Sequence, residues 1–268
     1  MKWPRLKMFS LHLLPSLIGF GRELTRQPVF TFRLAAVRLR FFFTRQFAKS
    51  LVTPTGFQIE TATELISYWS FFVERETWRR DWLDALAETA YPLVVDVGAN
   101  AGLFTHLIWT LRPDAEIIAF EPLPKMREKL HQWQIRTQAR LTIRPEAVSD
   151  HSGTASFYTT ADNDTGASLN AGQTKYDTFT VPLTTLDLAL AGRTSLLIKI
   201  DAEGVEPEVL AGAKDTLSRV KYLILEAHTP EALQKINFIL GAEWRSRRVG
   251  SSDYLFVRKP DSKSNAPG

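Results

Sequence analysis

Four acidic residues lie at the ends of short apolar runs: Asp96 in Leu93-Val-Val-Asp96-Val-Gly98-Ala-Asn100-Ala-Gly102, Glu121 after Glu116-Ile-Ile-Ala-Phe120, Asp201 after Leu196-Leu-Ile-Lys199-Ile200, and Glu226 after Lys221-Tyr-Leu-Ile-Leu225. A carboxylate at a strand tip can accept hydrogen bonds from paired hydroxyls or stabilise a cation. Gly98 and Gly102 allow a tight turn and close ligand approach. The order Asp96-x-Gly98-x-Asn100-x-Gly102 lacks the Gly-x-Gly-x-x-Gly spacing that lays helix amides under a pyrophosphate, and its adjacent carboxylate favours a cationic ligand. Glu121 follows Gly102 by nineteen residues and is suited to two ribose hydroxyls, with Pro122 closing its turn. Either acid alone reads equally as a charge at a helix N-terminus. The pair at this separation describes a holder for an adenosine-type cofactor.

A second set of residues fits proton removal. Asp201, Glu203 and His228 are expected to gather at one sheet edge, with Asp201 or His228 as base and Glu203 orienting an acceptor. Lys199 within an apolar strand needs a carboxylate partner, for which Asp201 is nearest, and this ion pair is equally well explained as structural. Asp201, Glu203 and Glu226 also form an alternative divalent-cation set, but spacing does not fix their geometry and no metal is expected. In the loop after the third strand, Glu146, Ala147 and Val148 supply an acceptor for an adenine amine and amides for the ring edge.

These positions require strands at Leu93 to Val97, Glu116 to Phe120, Leu141 to Ile143, Leu196 to Ile200 and Lys221 to Glu226, whose apolar character suits burial on both faces. Helices are expected over Ala101 to Leu111, Pro122 to Arg136, from beyond Gly204 to about Leu217, and from the Thr229 cap and Pro230 to Gly241. Thr154 to Thr159 and Thr178 to Leu183 alternate like paired strands, and the polar stretch Ala161 to Lys175 between them reads as a surface hairpin or a lid. Trp244 to Val249 and Tyr254 to Val257 read as a terminal hairpin. The alternation implies an α/β fold: a mostly parallel sheet with helices on both faces and one antiparallel edge strand, ligands lying beyond its carboxyl ends.

With 268 residues and 44% hydrophobic content, one sizeable core plus an appendage is expected. Domain boundaries are expected at 1–50 for a basic, aromatic helical extension, 51–260 for the main domain and 261–268 for a disordered tail. The lack of cysteine excludes disulfides, thiolate metal sites and a cysteine nucleophile, and fits a cytoplasmic location. Residues 1–50 carry ten Lys/Arg against one Glu, a net of +9, so the rest of the chain balances the total of +4 with −5. Interleaved Leu and Phe suit peripheral contact with an anionic membrane or packing on the main domain. The apolar stretch from Leu11 to Gly21 is broken by His12, Pro15 and Ser16 and is too short to span. No groove-reading motif accompanies the basic charge, so nucleic acid is not expected as a partner. Thr61 to Glu88 is aromatic-rich and reads as a helix laid on the core. Oligomeric state is open.

Taken together, Asp96-Val-Gly98-Ala-Asn100-Ala-Gly102, Phe120-Glu121-Pro122, Ile198-Lys199-Ile-Asp201-Ala-Glu203-Gly204-Val-Glu206, Gly212-Ala213 and Glu226-Ala-His228 resemble the FkbM family of class I S-adenosyl-L-methionine-dependent methyltransferases. The resemblance covers about residues 52 to 258. It implies the Rossmann-like, seven-stranded methyltransferase sheet and O-methylation of a hydroxyl on a sugar, glycan or secondary metabolite. A nicotinamide-dependent Rossmann oxidoreductase and a non-catalytic scaffold docked to a membrane or an enzyme complex are the alternatives.

Overall fold

A computed structural model describes residues 50–61, 92–160, 163–168, 177–249 and 252–259, with isolated positions 31, 33–37, 64, 65, 68, 86, 89 and 90. The chain folds as two compact units, Met1–Arg79 and Arg80–Gly268. Within the first unit, β1 (Leu51–Val52) and β2 (Gln58–Ile59) pair antiparallel. Of the expected N-terminal helical extension, residues 31 and 33–37 are helical and most others lie outside the described residues. Most of the aromatic segment from Thr61 to Glu88 and the tail 261–268 also lie outside them. Among the described residues, no helix is long and apolar enough to cross a membrane.

In the second unit the apolar runs become strands. β3 (Leu93–Val97) is buried along its whole length, as a strand covered on both faces must be. α1 (Leu103–Leu111), β4 (Glu116–Phe120), α2 (Pro124–Thr137) and β5 (Leu141–Arg144) follow as alternating layers. After an excursion described below come β10 (Leu197–Ile200), β11 (Tyr222–Glu226), α6 (Pro230–Leu240), β12 (Trp244–Arg248) and β13 (Asp253–Arg258). The sheet order is β12-β13-β11-β10-β3-β4-β5. Connections diverge between β3 and β10, the switch point beyond which ligands bind in such sheets.

Strand parity decides what each face carries. Val95, Val97, Ile118, Phe120, Ile198, Ile200, Leu223 and Leu225 join one core with Val209, Leu210, Ile236 and Leu240. Asp96 and Lys199 project toward the other face, where α1 supplies Thr105 and Phe104. Helices therefore cover both faces, as expected. Thr229 caps α6 by accepting from Ala232 N at 3.1 Å, Pro230 opens it and Gly241 ends it with φ +69°.

Three expectations are corrected. The antiparallel strand is not at the edge: β13 lies between β11 and β12, because the hairpin turns back outside it and leaves β12 as an edge strand with exposed Arg245, Arg247 and Arg248. The helix expected to reach Leu217 is broken into α4 (Glu206–Ala211) and α5 (Lys214–Leu217). The break falls at Gly212, where a Cβ would come within 2.2 Å of the Ser149 carbonyl oxygen. α1 and α2 start two residues later than expected, after Gly102 at φ +84° and after the Glu121 turn.

The excursion builds a second sheet, β6-β9-β7-β8, from β6 (Ala147–Val148), β7 (Gly153–Thr160), β8 (Asn163–Ser168) and β9 (Asp177–Thr184), followed by α3 (Leu186–Leu190). β7 and β9 pair antiparallel over the expected segments. β8 falls in the polar stretch, whose other residues mostly lie outside those described. The sheet packs Phe157, Val181 and Leu183 on Leu123 and Met126 at the start of α2.

Candidate active site

The backbone beyond β3 turns sharply. Gly98 has φ +75° and Asn100 φ +51°, and the amides of Gly98 and Ala99 both donate to the Phe120 carbonyl at 3.0 Å. A Cβ on Gly98 would stand 1.9 Å from the Asp201 carbonyl oxygen. The cofactor turn and the tip of β10 are thus in direct backbone contact, which only glycine permits.

Glu121 lies just past β4 and is 4% exposed. Its Oε2 accepts from Asn100 N at 2.6 Å and its Oε1 from Leu123 N at 2.7 Å. Burial pushes its carboxyl up to about 7, opposed by these two amides. A carboxylate has about four acceptor sites, so two remain after the amides are satisfied. Glu121 thereby sets the turn and still faces the cleft.

The cleft at the carboxyl ends is lined by Gly98, Asn100, Glu121, Pro122, Glu146 and Ala147 on one side, and by Asp201, Ala202 and Glu203 on the other. Phe157 of the second sheet and Leu123 add apolar wall. Glu146 is paired with Arg144, whose guanidinium lies 5.6 Å from the Phe120 ring centroid. That hydrogen bond holds the Glu146 carboxyl below its usual range.

Asp96 takes a different place from the one expected of a ribose or cation anchor. It is fully buried and is not part of the cleft lining, because strand parity turns it inward. Its Oδ2 accepts from Thr105 Oγ1 at 2.7 Å, and its Oδ1 lies 3.9 Å from Lys199 Nζ without a hydrogen bond. Burial raises its carboxyl above the ordinary value, against the pull of Lys199. Asp96 supports the strand tips from beneath. Gly102 is likewise outside the lining, and a Cβ there would meet Leu130 Cδ2 at 2.4 Å.

At the other side of the cleft, Lys199 Nζ donates to Asp201 Oδ2 at 2.9 Å. Burial alone would lower the ammonium, but Asp201 and Asp96 hold it above its ordinary range. Burial would raise Asp201, yet Lys199 and a hydrogen bond with Glu226 bring it below the usual value. Glu226 moves up, by burial and by the neighbouring Asp201 charge. Ser252 Oγ donates to Glu226 Oε1 at 2.6 Å, and His228 Nε2 lies 3.3 Å from Glu226 Oε2 and 3.9 Å from Glu203. Glu203 adopts φ +52°, and burial raises its carboxyl. The structure brings Asp201, Glu203 and His228 together, with His228 half exposed behind the lining rather than in it.

Asp201, Glu203 and Glu226 each offer an oxygen within 4.8 Å of the others, a spacing that a divalent ion can bridge. In the sequence Ser252 and Asp253 read only as turn-forming residues that join the terminal hairpin. The β11–β13 register sets Asp253 opposite Glu226, and counting hairpin pairs back from Tyr254 is the signal that would have found it.

A sheet with its antiparallel strand second from the edge, an acid just past the second parallel strand and a glycine turn at the switch point is the Rossmann-like arrangement expected for a class I methyltransferase. The sequence profile of the methyltransferase FkbM domain matches residues 96–250, more than half of the chain, and the chain belongs to the FkbM methyltransferase family. The 2-O-methyltransferase NoeI of Sinorhizobium fredii is 26% identical over 160 residues, covering 53% of this chain and 65% of the relative. The chain thus spans just under two thirds of that relative's length. Magnesium protoporphyrin IX methyltransferase of Synechocystis PCC 6803, solved with the donor bound, is 15% identical with a TM-score of 0.45, covering 84% of this chain and 97% of that one. A methyltransferase from Geobacter sulfurreducens is 13% identical with a TM-score of 0.43, covering 85% and 90%. The chain thus carries an FkbM methyltransferase domain, and membership of that family points to S-adenosyl-L-methionine as the donor to be tested against the site.

The residues present fit that donor. The Gly98 cradle would be filled by any Cβ, Glu121 keeps acceptor capacity for a ribose, and the carboxylates of Asp201 and Glu203 suit a positive charge.

Proposed function

We propose that the chain moves the methyl group of S-adenosyl-L-methionine to a hydroxyl oxygen of a sugar, glycan or secondary metabolite. The observation that carries this reading is Asp201: a carboxylate kept ionised by Lys199 at 2.9 Å, in the wall of the cleft that Gly98 and Glu121 also line. The Sinorhizobium relative is a 2-O-methyltransferase, which supports oxygen as the acceptor atom.

Glu121 takes the ribose hydroxyls, and Glu146 with the Ala147 amide meets the adenine. Gly98, Asn100 and Pro122 shape the floor, while Asp96 and Gly102 hold the turn from outside the cleft. The donor brings a methyl group already activated by a sulfonium. The chain therefore contributes position, worth several kcal/mol in reactions of this kind, and a place for one proton. Asp201 removes the hydroxyl proton, and Glu203 orients the acceptor from the same wall. His228 lies one side chain further out and reaches the acceptor only through Glu226 or Glu203. Family membership favours group transfer over the oxidoreductase alternative, as does the lack of a Gly-x-Gly-x-x-Gly turn.

The test is incubation with S-adenosyl-L-methionine and a panel of methyl glycosides and small alcohols, with methylated product located by mass spectrometry. An O-methyl product is expected. Asp201→Asn should lower turnover by about 100-fold or more, the scale of general-base catalysis, while donor affinity stays within about threefold. Equal loss of both would move Asp201 from base to binding group, and methylation on nitrogen or carbon would overturn the acceptor class.

A further inference from the structure

We propose that Arg127, in the first turn of α2 and outside the cleft lining, is the positioning residue for the donor's ribose. It fixes the peptide planes on either side of Pro122, and through them the direction in which the Glu121 carboxylate faces. The proposal rests on the ribose reading of Glu121 given above.

The turn after β4 is short of backbone donors. Pro122 and Pro124 have no N–H, so among residues 122 to 124 only Leu123 offers one, and that amide donates to Glu121 Oε1 at 2.7 Å. The carbonyls of Glu121, Pro122 and Leu123 all accept from the start of α2. The Leu123 oxygen takes the Met126 and Arg127 amides at 3.1 and 3.0 Å. The other two go to the guanidinium of the half-buried Arg127, whose Nη1 donates to the Glu121 oxygen at 3.0 Å and to the Pro122 oxygen at 2.6 Å. One side chain thus closes two consecutive carbonyls at once.

Peptide planarity turns this grip into leverage over the carboxylate. The Pro122 carbonyl and the Leu123 amide belong to one trans unit, in which C=O and N–H point in opposite directions within a single plane. A guanidinium fastened to the oxygen side therefore aims the N–H on the far side, and that N–H holds Glu121 Oε1. The preceding unit, from Glu121 to Pro122, is fastened by its oxygen in the same way and has no N–H of its own to anchor it. Glu121 Oε2 is held separately, by Asn100 N at 2.6 Å in the glycine turn. The carboxylate hangs between two amides, one placed by the turn after β3 and the other by Arg127, and its remaining acceptor positions are left for the cleft. A guanidinium suits the task better than an ammonium, because its planar array of donors is held rigid. Its charge also opposes the rise that burial imposes on the Glu121 carboxyl.

Calorimetric titration of S-adenosyl-L-homocysteine and of its 2′,3′-dideoxyribose analogue tests this without any acceptor, since the two ligands differ only in the hydroxyls that Glu121 would bind. The wild type should prefer the ribose form by about tenfold or more, the worth of hydrogen bonds to a charged group. Arg127→Met keeps the apolar stem and removes the donors, and its ribose preference should fall to about threefold or less. Arg127→Gln is read by the same ratio should the methionine protein not fold. The ratio separates positioning from packing, because a residue that merely staples α2 weakens both ligands by one factor. A ribose preference that survives in the variant therefore overturns the proposal and leaves the role of Glu121 intact. A wild type that binds both ligands equally removes the ribose role of Glu121 and the proposal with it, and failure of both ligands to bind overturns the assignment of the cleft itself.

Discussion

Replacing Gly98 by alanine should separate donor binding from folding. An added Cβ would stand 1.9 Å from the Asp201 carbonyl oxygen, and an ordinary contact requires 3.4 Å, so the tip of β10 and the cofactor turn must part by about 1.5 Å. The obstacle is backbone, not the end of a flexible side chain. Holding alanine at φ +75° adds roughly 1–2 kcal/mol. Misplacement on the order of 1 Å in an active site costs on the order of 100-fold, so donor affinity should weaken at least tenfold and turnover further. Gly102→Ala is the matched control. It has a similar φ of +84°, but its Cβ meets the Leu130 side chain, nearest at Cδ2 at 2.4 Å and outside the cleft. Strain and overpacking of roughly 2–4 kcal/mol should lower its melting temperature, with donor affinity within about threefold. Thermal melts with calorimetric titration of S-adenosyl-L-methionine read both quantities. A folded Gly98→Ala protein that binds the donor like the wild type would refute the claimed contact between turn and β10.

Three further outcomes are expected. Glu121→Ala removes the acceptor for the Asn100 and Leu123 amides; leaving buried donors unpaired costs about 1–3 kcal/mol each, so donor affinity should drop at least tenfold in titration, and an unchanged affinity would sink its ribose role. His106 is fully buried beside Trp133, and burial lowers its imidazole to about 3. Below pH 6.5 the unfolded chain binds a proton that the folded ring refuses, so stability present above that value is lost as pH falls toward 3; between pH 7 and 5 the wild type should lose about 2 kcal/mol relative to His106→Leu in urea melts. Thr229→Ala should cost about 1 kcal/mol by uncapping α6, seen as a fall of about 2–4 °C in melting temperature with donor affinity unchanged.

The parallel strands were legible because a segment buried on both faces must be largely apolar, and β3, β4, β10 and β11 are, apart from Asp96 and Lys199 and the terminal Glu116 and Glu226. The caps of α6 were legible for a local reason too, since Thr229, Pro230 and Gly241 act within one turn. What escaped reading depends on distant chain. The break at Gly212 is imposed by the Ser149 carbonyl, and the insertion of β13 between β11 and β12 is a choice among hairpin registers that turn residues do not make. Asp96 shows a subtler limit. Its motif leads into the turn that lines the cleft, yet alternation along β3 puts it on the face of Thr105, opposite Val95 and Val97, while Glu121 escapes that parity by lying beyond its strand.

The order of the sheet also bears on how the chain emerges from a ribosome. β12 is made before β13 but has no neighbour until β13 arrives to bridge it to β11, so for a time it is a solitary ribbon that any other strand could zip onto. Arg245, Arg247 and Arg248 make that ribbon repel its own kind. The same late arrival brings Ser252 to Glu226, so a nascent chain that can already bend its glycine turn fastens the Glu226 carboxyl only at the final stitch of the sheet.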